Sequence, residues 1–126
     1  MKEVLKSYPS KDIIVVFGAG GDRDKDKRPL MGRVAFHYAK KIIITSDNPR
    51  FEDPDLIIRD ILTGIPSHDN VVVEVNRKTA IKKAIEMADS NSVILVLGKG
   101  DEEYQTIYDK KFPLNDKNII NEILEQ

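Results

Sequence analysis

The sequence predicts the α/β fold class from the alternation of two kinds of segment. Four short apolar runs rich in Ile and Val are separated by stretches with helical periodicity, which is typical of a parallel sheet with crossover helices. Because these runs are apolar at nearly every position, both faces of the sheet need to be covered. The expected fold is therefore a Rossmann-like three-layer αβα sandwich with a mostly parallel sheet.

The elements of the first half follow from local signals. A short helical stretch around Val4 and Leu5 precedes the first strand. The next helix is predicted to carry Pro29 in its first turn and the basic residues Lys40 and Lys41 in its last turn, as the helix dipole favours. The four strands are predicted at residues 13–17, 42–45, 71–75 and 93–97.

Two further helices have clear start signals. Asp53 followed by Pro54 opens one, and Asn76 is a suitable amino-terminal cap for the other. After residue 97 we expect an antiparallel hairpin across residues 109–111 and a terminal helix capped by Asp116. With 126 residues, 40% of them hydrophobic and 33% charged, the chain is expected to form one domain, residues 1–126.

Composition argues against several classes of function. The 20 basic and 21 acidic residues give a formal charge of −1, so no overall field would attract nucleic acid or an anionic membrane. The absence of Cys excludes disulfides, thiol nucleophiles and thiolate metal sites. His37 and His68 lie far apart and are expected to be ordinary residues, so neither a catalytic base nor a metal site is predicted. No segment resembles a signal peptide or a membrane span, so a cytoplasmic protein is expected.

Three polar segments follow predicted strands, at residues 18–23, 46–50 and 98–102. Ligands of open parallel sheets bind beyond the carboxyl ends of the strands, so these segments form the expected binding rim. The first segment has a dinucleotide-binding alternative, but Arg23 stands where the G-x-G-x-x-G fingerprint needs a third glycine. In the plain alternative its glycines only make a turn and residues 23–28 are a solvated charged loop. The phosphate-loop pattern G-x-x-x-x-G-K-[ST] occurs nowhere in the chain.

The other two segments also have a functional and a plain interpretation. Arg50 could present its planar guanidinium to a ligand carboxylate while Asn48 adds a hydrogen bond, or both could belong to an ordinary exposed turn. Glu102 could accept a ligand ammonium group, or it could be a surface glutamate at the start of a short helix. Together the segments predict a small ligand with carboxylate and amino groups.

The three segments read GAGGDRDKDKRPLMG, TSDNPRFEDP and GKGDEEYQ, in this order. Together they closely resemble the carboxyl-terminal domain of the Mur ligases, over nearly the whole chain including the final hairpin and helix. The resemblance is to the branch that adds a diamino acid to UDP-N-acetylmuramoyl-L-alanyl-D-glutamate in peptidoglycan synthesis. It implies a monomeric ligase in which another domain binds ATP and Mg²⁺ and activates a glutamate carboxylate as an acyl phosphate. The present domain would deliver the amino acid and be inactive by itself, and the nucleotide peptide would bind through the missing domains.

The resemblance assigns the carboxylate-binding residues. Arg23 would hold a carboxylate of the diamino acid. Asp47, Asn48, Pro49 and Arg50 would match the DNPR motif of enzymes that use meso-diaminopimelate. Arg50 would pair with the distal carboxylate and Asn48 would support it. Lysine lacks this carboxylate and would leave Arg50 facing no anion.

The ammonium-binding residues follow from the third segment. Gly98 through its carbonyl and Glu102 through its carboxylate would take the distal ammonium group of the diamino acid. This chain departs from the family by having Asp101 where a histidine is usual, which could shift preference toward a related diamino acid. The family segment Asp-Tyr-Ala-His, expected just before residue 1, is also missing, so the chain is expected to be a fragment of its domain.

A stand-alone Rossmann-like module for a nucleotide or metabolite is the alternative from a different class. The glycines of residues 18–21 and the carboxylate of Asp47 favour it, because they occupy the positions of a nucleotide-binding loop and its acidic partner. Binding of NAD or a mononucleotide by the isolated chain would distinguish it from the ligase interpretation.

Overall fold

The computed structural model describes residues 2–21, 25–98, 104–107, 110–113 and 116–124. Its main sheet contains four parallel strands: β1 (Ile13–Phe17), β2 (Lys41–Ile44), β3 (Val71–Val73) and β4 (Val93–Val96). Their order across the sheet is β3-β2-β1-β4, so β2 and β4 lie on opposite sides of the central strand β1. The strand order reverses between β1 and β4, which is where ligands of such sheets bind. The predicted parallel α/β sheet is confirmed.

Helices cover both faces of this sheet. On one face lie α1 (Lys2–Leu5), α2 (Lys27–Tyr38) and α3 (Pro54–Leu62); on the other lie α4 (Arg77–Met87) and α5 (Asp116–Leu124). Successive side chains of β1 point to opposite faces, so Ile13, Val15 and Phe17 pack with the first group and Ile14 and Val16 with the second. The three-layer sandwich is therefore as predicted.

The end of α2 differs from the prediction. A 3₁₀ turn (Ser10–Asp12) leads into β1, and the N–H of Lys40 donates to the carbonyl of Ile13 at its start. Ala39 is already extended, with φ −111° and ψ 145°, and Lys41 is the first residue of β2. The two lysines thus belong to the entry into the sheet and not to the last helical turn.

The start signals of α3 and α4 are confirmed. The Asp53 carboxylate accepts a hydrogen bond from the N–H of Asp55 at 2.9 Å, and Pro54 opens α3. The Asn76 side chain accepts from the N–H of Thr79 at 2.9 Å and so caps α4. In each case the cap satisfies a backbone donor that has no partner within the helix.

The carboxyl-terminal elements differ from expectation in two details. The predicted hairpin forms from β5 (Tyr104–Ile107) and β6 (Lys110–Pro113), but Lys110 and Lys111 pair with β5 as strand residues and do not belong to a turn. Asp116 begins α5, yet both of its carboxylate oxygens accept hydrogen bonds from the guanidinium of Arg77 at 2.8 Å. A long-range ion pair takes the place of the predicted local cap.

The edge strand β3 is less covered than the apolar pattern predicts. All five residues of β1 are buried, whereas Val73 in β3 is 45% exposed. An edge strand has a neighbour on one side only, so continuous apolar character does not guarantee burial there. Among the described residues, none of the helices is both long and apolar enough to cross a membrane.

Candidate functional site

A cleft of about 480 Å³ lies at the carboxyl ends of β1, β2 and β4. Gly18 follows β1, Asp47 lies three residues after β2, and Gly98 lies two residues after β4. Because β1 is flanked by β2 and β4, the loops after all three strands meet at one edge. The residues lining the cleft are Gly18, Ala19, Gly20, Lys27, Arg28, Met31, Asp47 and Gly98.

Gly18 and Gly21 allow two loops of the rim to touch through their backbones. A Cβ atom at Gly18 would lie 2.3 Å from the carbonyl oxygen of Thr45, and one at Gly21 would lie 1.8 Å from that of Pro49. The N–H of Gly21 also donates to the carbonyl of Asn48 at 2.7 Å. These glycines therefore allow the first rim segment to pack against the second. They do not only make a turn.

Replacing Gly21 with alanine tests this close approach. The new methyl group would overlap the Pro49 carbonyl, so one loop would have to move. We expect the free energy of unfolding to fall by about 1–3 kcal/mol, the usual range for overpacking. Urea denaturation of the chain measures this loss, and an unchanged midpoint would show that the loops are not in tight contact.

Arg50 has an unusual backbone conformation and a fixed side chain. Its φ of 53° is the only positive value among the described non-glycine residues. Nη1 donates to the carbonyl of Gly21 at 3.0 Å and to that of Asn48 at 3.2 Å. Such a backbone costs about 1–2 kcal/mol for a residue with a Cβ. Two carbonyls therefore orient one edge of the guanidinium, while Nε and Nη2 have no partner within the described part of the chain and can receive an anion.

Asp47 lies on the other side of the rim, beside Gly98. Its Oδ2 is 3.5 Å from the position that a Cβ of Gly98 would occupy, and Gly98 has a φ of 106°. A side chain at residue 98 would be strained by this φ, while its Cβ would make only an ordinary van der Waals contact with the carboxylate. The carboxylate and the backbone of Gly98 thus line the cleft together.

Arg28 was not identified as a site residue from the sequence. It is 1% exposed, and its guanidinium binds both carboxylate oxygens of Glu52, Asp60 at 2.9 Å and the carbonyl of Gly20 at 3.1 Å. The hydrogen bond to Glu52, followed by that to Asp60, raises the pKa of Arg28 above its ordinary value despite burial. The interpretation of residues 23–28 as a solvated loop is therefore wrong at Arg28. Its buried guanidinium instead holds the glycine segment through the carbonyl of Gly20.

The histidines and the acidic residues of the described chain form no further site. His37 contacts the ring of Tyr38 edge-on, with ring centroids 4.6 Å apart, and Nε2 of His68 lies 3.1 Å from the carbonyl of Ile65. Neither lines the cleft. Within the described residues no group of three or more His, Asp or Glu side chains is placed to hold a metal ion.

Comparison with known proteins agrees with this geometry. The family described as "Mur ligase, glutamate ligase domain" matches residues 1–100. The chain belongs to the Mur ligase family. It is 54% identical over 112 residues to UDP-N-acetylmuramoyl-L-alanyl-D-glutamate--2,6-diaminopimelate ligase of Aquifex aeolicus, with 89% of this chain and 23% of that protein covered. The Helicobacter pylori (strain J99 / ATCC 700824) protein of the same name is 48% identical, with 97% and 27% covered.

A solved structure shows that the likeness extends to three dimensions. A structure titled UDP-N-acetylmuramoyl-L-alanyl-D-glutamate--2,6-diaminopimelate ligase superposes with a TM-score of 0.91 and 36% sequence identity. It covers 98% of this chain, and the chain covers 26% of that protein. This Mur ligase chain therefore spans about a quarter of the length of the relatives it matches.

The Mur ligase chain brings together some of the residues predicted to bind the ligand. Asp47 and Gly98 line the cleft, whereas Asn48, Pro49 and Arg50 pack against the Gly21 segment beside it. Asn48 and Pro49 are buried, so they shape the backbone of the loop. The other two predicted site residues, Arg23 and Glu102, lie outside the described residues. So does Asp101, which stands where the family usually has a histidine.

Proposed function

We propose that this chain is the amino-acid-binding domain of an ATP-dependent ligase that adds meso-diaminopimelate, or a close diamino acid, to UDP-N-acetylmuramoyl-L-alanyl-D-glutamate. The observation that carries the proposal is the meeting of Asp47–Arg50 with Gly98 at one edge of the sheet. The relatives named as 2,6-diaminopimelate ligases support it. The activity belongs to the whole protein, because the chain corresponds to about a quarter of those relatives.

The carboxylate side of the ligand is assigned to the arginines. Arg50 receives the distal carboxylate through the guanidinium edge that faces away from the Gly21 and Asn48 carbonyls. Arg23 holds a second carboxylate, and Asn48 supports the loop that presents Arg50. A charge-assisted hydrogen bond of this kind contributes about 1.5–3 kcal/mol. Lysine would gain none of this at its distal end, so the loop selects a diamino acid with two carboxylates.

The ammonium side of the ligand is assigned to the loop after β4. The Gly98 carbonyl and the Glu102 carboxylate accept hydrogen bonds from the distal ammonium group. Asp47, whose carboxylate lies beside Gly98, adds negative charge to the same end of the cleft. None of these three residues reacts: this domain positions the amino acid, and positioning itself lowers the barrier for attack by an amine.

ATP and Mg²⁺ are assigned to a part of the ligase outside this chain. The chain contains no phosphate loop, and its described acidic residues form no cluster suited to Mg²⁺. These residues therefore do not fit the cofactor by themselves. The alternative of a stand-alone nucleotide-binding module is not favoured, because the family that this chain matches and its relatives are ligases.

Turnover by the full-length protein tests the proposal. With UDP-N-acetylmuramoyl-L-alanyl-D-glutamate, ATP and meso-diaminopimelate, we expect formation of the nucleotide tripeptide, measured by chromatography, and kcat/KM at least about tenfold above that for lysine. The isolated chain should give no product and no micromolar binding of NAD by calorimetry. A full-length protein that prefers lysine, or that forms no tripeptide, would contradict the proposed function.

A further inference from the structure

Arg77 is a buried cation that contacts the backbone leading into both halves of the candidate site. It is the first residue of α4 and is 1% exposed. Its Nη1 donates to the carbonyl of Ser46 at 3.1 Å, and its Nη2 donates to the carbonyl of Leu97 at 3.0 Å. Ser46 directly precedes Asp47, and Leu97 directly precedes Gly98. One guanidinium therefore joins the two rim loops.

The sheet itself provides no direct link between these loops. β2 and β4 are separated by β1, so no ladder of hydrogen bonds connects the end of β2 to the end of β4. Arg77 spans this gap with a planar group whose donor directions are fixed. It thereby adds a direct link between two loops that the sheet connects only through β1.

Asp116 fixes the orientation of Arg77. Its two carboxylate oxygens accept from Nε and Nη2 of Arg77, both at 2.8 Å, and its residue is 4% exposed. Such a bidentate pair holds the plane of the guanidinium as well as its position. The first turn of α5 is consequently coupled to the rim, although Asp116 does not line the cleft.

We propose that Arg77 is a positioning residue that sets the separation between the Asp47–Arg50 loop and the Gly98 carbonyl. The distal carboxylate and ammonium groups of meso-diaminopimelate are bonded to one carbon atom, so the elements that bind them must be held at a fixed separation. Arg77 therefore contributes to the preference for meso-diaminopimelate over lysine without contacting the substrate. This inference rests on the proposed function of the same site.

The substitution Arg77→Lys in the full-length protein tests this role. An ammonium keeps the charge but has no planar fork that can hold Asp116 and reach both carbonyls. We expect the KM for meso-diaminopimelate to rise about tenfold or more, because displacements within about 1 Å already have effects of this size. The ratio of kcat/KM for meso-diaminopimelate to that for lysine should fall, while the KM values for ATP and the nucleotide dipeptide stay unchanged.

The exposed pair Lys78–Glu122 offers a matched control. It also joins α4 to α5, at 2.8 Å, but its side chains are 50% and 56% exposed, and it has no hydrogen bond to the described residues of the rim loops. Lys78→Met should leave both the KM for meso-diaminopimelate and the substrate ratio at their wild-type values. A change as large as that of Arg77→Lys would show that general coupling of the two helices, and not the arginine, is responsible.

A double variant separates positioning from folding. In Arg77→Met/Asp116→Leu both buried charges are removed, and such replacements often retain stability. No buried charge is left unpaired, but the Ser46 and Leu97 carbonyls lose their donor, so we expect a modestly lower unfolding midpoint together with the same loss of discrimination as in Arg77→Lys. A purely structural role would instead lower the amount of active enzyme, reducing kcat equally for both amino acids at unchanged KM.

The outcomes for the two proposals differ. If the wild-type full-length protein does not use meso-diaminopimelate, the proposed function fails and the positioning role fails with it. If the wild-type protein uses it and Arg77→Lys keeps the wild-type KM and substrate ratio, only the positioning role is overturned.

Discussion

Replacement of Arg50 by alanine is expected to raise the KM for meso-diaminopimelate about 10- to 150-fold in the full-length ligase, which corresponds to loss of a charge-assisted contact of about 1.5–3 kcal/mol. The variant removes the guanidinium that the Gly21 and Asn48 carbonyls orient. The kcat/KM for lysine should change little, so the ratio of kcat/KM for meso-diaminopimelate to that for lysine should fall by a similar factor. Steady-state kinetics with both amino acids measures this change. Arg59→Ala, at an exposed position of α3, is the control and should leave the ratio unaltered.

A glycine at the same position separates backbone strain from ligand binding. Arg50 has a φ of 53°, which glycine adopts without penalty. Arg50→Gly should therefore lose the preference for meso-diaminopimelate over lysine as fully as Arg50→Ala does. It should also unfold at a urea concentration equal to or higher than that for Arg50→Ala. Equal discrimination by the wild-type protein and Arg50→Gly would show that the guanidinium does not select the substrate.

Replacement of Arg28 by methionine is expected to lower the free energy of unfolding by about 3 kcal/mol, near the lower end of the range for breaking a buried ion pair. Methionine keeps much of the stem but leaves the carboxylate of Glu52, which is 17% exposed, and the carbonyl of Gly20 without the guanidinium. Asp60 is 41% exposed and contributes less, because water can solvate it. Urea unfolding of the chain measures the loss.

Arg33→Met is the matched control for this prediction. Arg33 lies on the same helix α2 but is exposed, so its replacement should change the unfolding free energy by less than about 0.5 kcal/mol. If both variants unfold at the same urea concentration, the buried network of Arg28 does not stabilise the rim.

The carboxyl-end rim was predictable from the sequence because its position follows from topology. Apolar runs of strand length, separated by helices with recognisable starts, place every strand of a parallel sheet in the same direction. The segments after residues 17, 44 and 96 must then leave from one edge, as they do. The roles of Arg23 and Glu102 remain predictions, since both lie outside the described residues.

The buried arginines could not be predicted in the same way. The partners of Arg28 lie 24 and 32 residues away and that of Arg77 lies 39 residues away, and no local pattern indicates such pairings. Asp116 shows the consequence: an aspartate at a helix start normally predicts a cap, but a buried guanidinium competes for the same carboxylate.

The sequence by itself determined the fold class, the order of the elements and the edge at which a ligand would bind, because periodicity, caps and strand direction are properties of short segments. Only the tertiary structure decided that Gly18 and Gly21 serve a contact between loops. It also decided that Arg28 and Arg77 are buried and that their guanidinium groups hold the backbone of the rim through hydrogen bonds. The burial of a charge depends on which distant carboxylates and carbonyls the folded chain brings within hydrogen-bonding distance.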